Sequence, residues 1–284
     1  MLATTQTRLH AIRIRLENYT PRKASHRILW EFFLFGFKQG WACLFGGCMV
    51  SLLLLTKWLW PPDAPLPRYD FIFLAAITIQ AALLLLRLET VREAKIIFIF
   101  HVVGTVMELF KTDVGSWTYL ERSFFHIAHV PLFSGFMYAA IGSYLARVTR
   151  ILDMRYADYP DKRLTILLGI LIYVNFFTHH FVPDARGFIF LLVGVLFGPT
   201  WVYYKPYRTW RRMPLVVGFG LVAFFIWLAE NIGTFTTVWF YPHQAHGWEM
   251  VRFGKYGSWF LLMIISFILV SFVHPPRRPE KPGK

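Results

Sequence analysis

The sequence predicts an all-α, polytopic helical membrane protein with about eight transmembrane helices in two parallel four-helix halves. Three observations carry that prediction. Of 284 residues, 56% are hydrophobic and only 16% are charged. Apolar runs long enough to cross hydrocarbon recur between short charged connectors. Finally, Glu, eight residues, Trp, one residue, Tyr occurs twice: as ELFKTDVGSWTY from residue 108 and as ENIGTFTTVWFY from residue 230.

The apolar runs place spans at 34–56, 70–87, 94–110, 130–147, 164–180, 187–204, 214–231 and 256–274. Each approximates the roughly 17–25 residues a spanning helix needs. The first 29 residues are basic and lack an apolar h-region, so no cleavable signal peptide is expected. The net charge is +14, which raises nucleic acid as a partner. Topology accounts for it better. With a cytoplasmic N-terminus, 22 of the 30 Lys and Arg fall inside and only seven outside, while the acids divide eight to each side. That is the positive-inside bias, so the expected partner is the lipid bilayer and not nucleic acid. Four segments follow: a basic arm over 1–29, a first half over 30–150, a second over 151–274, and a basic tail over 275–284.

In the arm, Leu9, Ile12, Leu16 and Tyr19 recur at helical spacing among arginines, which fits an in-plane helix on anionic lipid or a disordered basic tail. Cys43 and Cys48 read as small buried residues rather than a disulfide or metal pair. Gly36 with Gly40, and Gly194 with Gly198, have the spacing of close helix packing.

The two Glu–Trp–Tyr units are 122 residues apart, and each follows the third span of its half. An even number of spans per half keeps both at the outer face, so the repeat is parallel. In the third span His101, Gly104, Thr105 and Glu108 form one stripe; in the seventh, Gly220, Ala223, Trp227, Glu230 and Asn231 form another. Asn175 and His179 lie one turn apart in the fifth span, with His180 following. Polar groups in hydrocarbon face protein or a water-filled cavity, so these stripes predict a shared outer pocket. Its expected acid–base groups are Glu108, Glu230, His179 and His180. Its expected binding groups are His101, Trp117, Tyr119, Asn175, Asn231, Trp239, Tyr241 and Gln244. Plainer roles compete. Trp and Tyr suit an interfacial belt, the glutamates could pair with Lys111 or Lys255, and His101 suits a hydrogen-bonded packing position.

Three chemistries fit. A carboxylic acid in a poorly solvated site keeps its proton, can protonate an alkene, and Trp and Tyr faces can stabilise the resulting cation. Alternatively, His126-x-x-His129, His179-His180 and His243-x-x-His246 could ligate metal in an oxygenase. A third possibility is a transporter, or a protein binding lipid or small solutes, with its site between the halves. No phosphate loop, G-x-S-x-G or H-E-x-x-H motif competes, and no cofactor can be assigned.

The stretches ELFKTDVGSWTY, VPLFSGFMYAAIGSYLAR, NFFTHHF, WLAENIGTF, VWFYPHQ and GKYGSWFLLMIISF resemble signature blocks of the YoaT-like bacterial integral membrane proteins, a family of unknown function. The resemblance covers residues 31–274 and implies a bacterial cytoplasmic (inner) membrane location, while the 22-to-7 division of Lys and Arg predicts a multi-pass chain with both termini cytoplasmic. Its polar blocks fall on Glu108, Trp117, Tyr119, Asn175, His179, His180, Glu230, Asn231, Trp239, Tyr241 and Gln244, outside the two HxxH pairs. Glu, W-x-Y and a VPL-like helix start are also distantly similar to membrane lycopene cyclases, which implies a lipophilic, isoprenoid or lipid-like ligand.

Topology is testable directly. With Cys43 and Cys48 replaced, Ser123→Cys and Ala245→Cys should each react with an impermeant thiol reagent on intact cells. Labelling of both only after lysis would reverse the outer-face assignment.

Overall fold

The computed structural model describes residues 15–279, apart from residues 17 and 62; most of the amphipathic pattern expected in the arm lies outside these. The protein is mostly helical. Nine α-helices are described: α1 Ala24–Ala42, α2 Leu44–Leu59, α3 Arg68–Leu85, α4 Val91–Asp113, α5 Phe133–Ile151, α6 Lys162–Thr178, α7 Arg186–Phe197, α8 Leu215–Phe235 and α9 Gly254–Val273. By length and apolarity, α3, α8 and α9 could each cross a membrane, and α1 with α2 would add a fourth if counted as one broken span.

The eight expected spans are thus corrected in their details. The run at 34–56 is broken at Cys43, where α1 and α2 meet at 71°. Cys43 is consequently exposed and Cys48 half-buried, so they are not the buried pair expected. The run at 187–204 is helical only to Phe197. Its remainder, Trp201–Tyr204 (β4), pairs antiparallel with Arg155–Ala157 (β3) and Arg211–Pro214 (β5). β-Branched and aromatic residues favour strands as readily as apolar helices, so the sequence could not separate the two. A short hairpin, β1 (His126–Ile127) with β2 (Val130–Pro131), completes the described strands.

Hydrogen bonds identify the two ends of the helix bundle. At one end, the acid end, the last turns of α2, α4 and α8 meet the first turns of α3, α5 and α9. Lys57 Nζ donates to Thr237, Arg68 to the Thr236 carbonyl, Tyr138 to Glu108 and Trp259 to Glu230. α6 ends there as well, with His180 beside Lys111, and α7 begins there, with Arg186 donating to Ser258. The three-residue run Arg68-Tyr69-Asp70 anchors this end. Arg68 is buried and reaches Thr56, Glu121 and the Leu53 carbonyl. Tyr69 donates to the Val238 carbonyl, and Asp70, wholly buried, accepts from Ser123 Oγ and the Phe124 and Phe125 amides.

The opposite end holds the three-stranded sheet and a cluster of buried charges. Glu89 accepts from Gln80, Ser143 and Arg147, while Glu93 closes a capping box with Thr90 and pairs with Arg150. α1 lies against this end through Glu31 and Arg211, leaving Ile28, Leu29, Phe32 and Phe33 exposed along it.

The expected small-residue seams do not form. Nothing lies within 4 Å of a Cβ built on Gly36, Gly40 or Gly194. Close approach occurs instead where α4 meets α5. A Cβ on Gly104 would lie 2.6 Å from the Tyr138 ring, and one on Gly135 would lie 2.5 Å from His101 Nδ1.

The Glu89–Arg147 pair, with both side chains fully buried, generates a stability prediction. Glu89→Ala leaves a buried guanidinium uncompensated and should cost about 3–5 kcal/mol. Glu31→Ala, whose Arg211 partner is exposed, should change stability far less. Unfolding in mild detergent, followed by circular dichroism, compares them; equal effects would deny the cluster its role.

Candidate functional site

The site starts from two carboxyls largely withdrawn from solvent. Glu108 is 5% exposed and Glu230 4%. Each stands in the last turns of its helix, facing the helix that follows it: α5 for Glu108 and α9 for Glu230. Buried carboxyl oxygens must find donors inside the protein. Glu108 Oε2 accepts from Trp117 Nε1 at 2.7 Å and the Tyr119 hydroxyl at 2.8 Å, and Oε1 accepts from the Tyr138 hydroxyl at 2.8 Å. Glu230 accepts from the Tyr241 hydroxyl on Oε1 and from Trp259 Nε1 on Oε2. Among the described residues, neither glutamate has a Lys, Arg or His nitrogen within 4 Å.

The two cages are joined. Thr118 and Phe240, the middle residues of the two W-x-Y units, form an isolated antiparallel bridge. The Thr118 amide donates to the Phe240 carbonyl and the Phe240 amide to the Thr118 carbonyl, each at 3.1 Å. Trp117 and Tyr241 meet edge to face at 6.1 Å, and Lys255 Nζ sits 5.2 Å from the Trp117 ring centre and 4.5 Å from that of Tyr241. Burial first, and the Glu230 carboxyl second, raise the Tyr241 phenol well above its ordinary pKa. Tyr119 is raised in the same way by burial and then by Glu108, so both loop tyrosines stay protonated donors at physiological pH.

Several expected site residues lie elsewhere. His101 is seven residues before Glu108 on the same stripe, but that stripe packs on α5 rather than lining a pocket: His101 stacks on Phe136 at 4.4 Å. Trp239 does not bond Glu230; its ring covers Gly233, where a Cβ would collide with it. The indole on Glu230 comes from Trp259, which nothing in the repeat marked. Asn175 secures the α6–α7 turn through Asp184 and the Ala185 amide. Asn231 and Gln244 brace the 242–251 loop, accepting from the Val251 and Tyr241 amides respectively. His179 Nδ1 lies 2.8 Å from the Asn175 carbonyl, and His180 Nε2 lies 2.7 Å from Lys111 Nζ, so neither joins the carboxyl cages.

The histidine boxes do not converge. His126 belongs to the β1–β2 hairpin, its Nδ1 2.7 Å from the Ala128 carbonyl, and His243 stacks on Tyr241. No group of three or more His, Cys, Asp or Glu among the described residues is arranged to hold a metal. Sequence reasoning missed Tyr138 and Trp259, and it named Lys255 as an ion-pair partner for the glutamates where the ammonium rests on the Trp117 and Tyr241 rings. Tyr138 and Trp259 follow their glutamates by 30 and 29 residues, but they differ in type and stand one position out of the 122-residue register, so the repeat gave no signal for them.

A family model described as "Protein of unknown function (DUF817)" matches residues 31–267, which contain both cages. The chain belongs to the DUF817 family. It is 42% identical over 237 residues to "Uncharacterized protein YoaT" of Bacillus subtilis (strain 168), a match spanning 84% of this chain and 89% of that protein. No solved structure matches. Both Glu–Trp–Tyr units of this DUF817 member thus lie within its family region.

A double-mutant cycle measures whether the cages act together. Glu108→Gln and Glu230→Gln should couple by roughly 0.5–3 kcal/mol in detergent stability, whereas independent sites add within about 0.5 kcal/mol. Additive losses would make them two separate interfacial anchors.

Proposed function

We propose that this DUF817 protein is an eight-span protein of the bacterial inner membrane, with both termini cytoplasmic, whose paired carboxyls perform acid–base chemistry on a lipophilic substrate. The observation that carries the reading is the choice of partners. Glu31, Glu89, Glu93 and Glu121 each pair with an arginine, yet Glu108 and Glu230 are held by indole and phenol donors alone. A carboxyl without a counter-cation can exchange a proton without breaking an ion pair. The Thr118–Phe240 bridge and the Trp117–Tyr241 contact join the two cages, and in this reading one proton is shared between the two carboxyls, which avoids placing two negative charges together.

The eight-span count is supported by the alternation of α2 to α9, which begin and end at opposite ends of the bundle. Helices carrying charge, such as α4 and α5, or short ones, such as α7, would then span within the protein's own packing rather than by apolarity. Division into halves over 30–150 and 151–274 is supported by the Thr118–Phe240 bridge, whose partners are 122 residues apart and bond reciprocally, as equivalent positions about a twofold axis would. The distant likeness to lycopene cyclases belongs to this proposal and rests on short Glu–aromatic blocks.

In the proposed step one glutamic acid protonates an alkene carbon of the substrate, the aromatic rings stabilise the cation, and the other carboxylate removes a neighbouring proton. The double bond moves or a ring closes, and no oxidant is consumed. Membranes containing the protein, incubated in deuterated water with a bacterial lipid extract, should place one deuterium in a single lipid class. Glu108→Gln and Glu230→Gln should each lower incorporation at least about 100-fold, the lower end for general acid–base catalysis. Absence of any protein-dependent deuterated lipid would overturn the reading.

A further inference from the structure

Counting α2 to α9 as spans leaves α1 over, and α1 departs from α2 at 71°. Its inner side is docked on the sheet end. Leu34 and Ala42 are buried, Ala42 against Val148 and Leu152. Gln39 accepts from the Tyr144 hydroxyl at 2.8 Å, Phe35 meets the Tyr204 ring at 5.7 Å, and Glu31 accepts from Arg211 and Thr209. The outer side is different. Ile28, Leu29, Phe32, Phe33 and Phe37 are 42–75% exposed there, and nothing lies within 4 Å of a Cβ built on Gly36 or Gly40. At about 100° per residue these positions share one side of the helix, and its Arg27, Glu31 and Lys38 fall on the other. Trp30, Phe33, Phe37 and Trp41 stack in turn along one edge, with ring centres 5.1–6.4 Å apart.

Lengths give this helix a place. α2 has 16 residues and is about 24 Å long, short of a hydrocarbon layer about 30 Å thick. With the acid end of α2 at one boundary, Cys43 lies about 6 Å inside the other. α1 has 19 residues and is about 28 Å long, but its lean of 71° makes it climb only about 9 Å along the α2 axis. That climb brings its first turn out to the headgroups.

Cations are gathered at that level. Arg22, Lys23 and Arg27 are exposed around the start of α1. The β4–β5 turn reaches the same place, with Tyr207 donating to the Tyr19 carbonyl and Arg208 to the Asn18 carbonyl, and it adds exposed Arg208 and Arg212. Glu31 is engaged by Arg211, and among the described residues no carboxylate lies within 4 Å of the other five cations. Basic groups beside an apolar face match an anionic lipid surface, whose phosphates meet the cations while its acyl chains meet the rings.

We infer that α1 is an oblique interfacial anchor, its 28–40 face sunk in the acyl region of the leaflet at the sheet end and its basic rim on anionic phospholipid headgroups. The inference rests on the proposed topology only in requiring α2 to span the bilayer, and it needs no reaction at Glu108 or Glu230.

The test uses the full chain with Cys43→Ser and Cys48→Ser, in vesicles of phosphatidylcholine and phosphatidylglycerol. A nitroxide is placed singly at Ile28→Cys, Phe32→Cys, Gly36→Cys and Gly40→Cys, successive turns of the exposed face, and at Ser51→Cys, exposed midway along α2. Collision with oxygen, set against collision with a water-soluble nickel chelate, gives each label's depth. The α1 labels should deepen by about 6 Å from 28 to 40, whereas a helix continuing straight from α2 would deepen by about 18 Å. The Ser51 label should lie near the bilayer centre. Water-exposed α1 labels beside a deep Ser51 label, or the steeper gradient, would overturn the anchor alone. A water-exposed Ser51 label would overturn the spanning topology along with it. Spin–spin broadening between protomers at the α1 positions would assign the face to a second copy of the chain instead. A fluorophore at Ser25→Cys, exposed in the first turn of α1, reads the basic rim. Phosphatidylglycerol spin-labelled at the top of its acyl chain should quench it more than phosphatidylcholine carrying the same label. Arg208→Gln with Arg212→Gln should remove most of that preference, as a contribution of about fivefold per surface cation implies. Equal quenching by the two lipids in the parent chain would overturn the headgroup assignment.

Discussion

A carboxyl group buried away from water must find every hydrogen bond within the protein, and much of the acid end follows from that constraint. Glu108 and Glu230 sit near the C-terminal ends of their helices, where the backbone amides are already bonded and offer no free donors. The donors come from indole and phenol groups, which present an apolar body to the core and a single polar tip to the acid. Trp117, Tyr119 and Tyr241 lie in connecting loops, so those loops must turn back over the helix ends. Once both have done so, their middle residues meet and bridge. Arg68, Tyr69 and Asp70 then fix the returning segments by bonding their carbonyls and amides.

The two ends of the molecule solve the problem of buried charge differently. At the sheet end, Glu89 and Glu93 are neutralised by Arg147 and Arg150, an arrangement that is costly to assemble and more costly to break. At the acid end, Glu108 and Glu230 take neutral donors, while Lys111 and Lys255 rest on aromatic faces instead of on these two acids. Cation–π contact compensates an ammonium only in part. The two glutamates and the two lysines are therefore kept apart, while Arg68–Glu121 and Arg186–Asp184 pair at the same end.

Much of this site was legible because it is local. The stripe of His101, Gly104, Thr105 and Glu108 follows from helical spacing, and it does face one partner, α5. What spacing cannot say is whether a polar stripe meets a cavity or another helix. Here Gly104 and Gly135 let α4 and α5 approach until Tyr138 and His101 fill the gap, so His101 became a packing residue. The histidine pairs were misleading for a related reason: Nδ1 of His126 and of His179 lies within hydrogen-bond distance of a nearby backbone carbonyl, a local option open to any histidine near a turn.

By itself the sequence determined that the chain is mostly helical and rich in apolar helices, and that Glu108 and Glu230 are the unusual residues, because composition and repeat spacing are properties of the chain. It placed Tyr119 and Tyr241 in the same pocket, while their role as donors to the two carboxyls emerged only from the folded loops. The tertiary structure decided the rest. Trp259 rather than Trp239 serves Glu230 because Gly233 leaves room for the Trp239 ring beside α8, and α9 brings Trp259 to the vacant carboxyl oxygen. It also decided that the apolar run after Gly198 becomes a strand, because Arg155–Ala157 and Arg211–Pro214 offer backbone partners on both sides. Those outcomes depend on which surfaces meet, and that is set by packing between residues far apart in the chain.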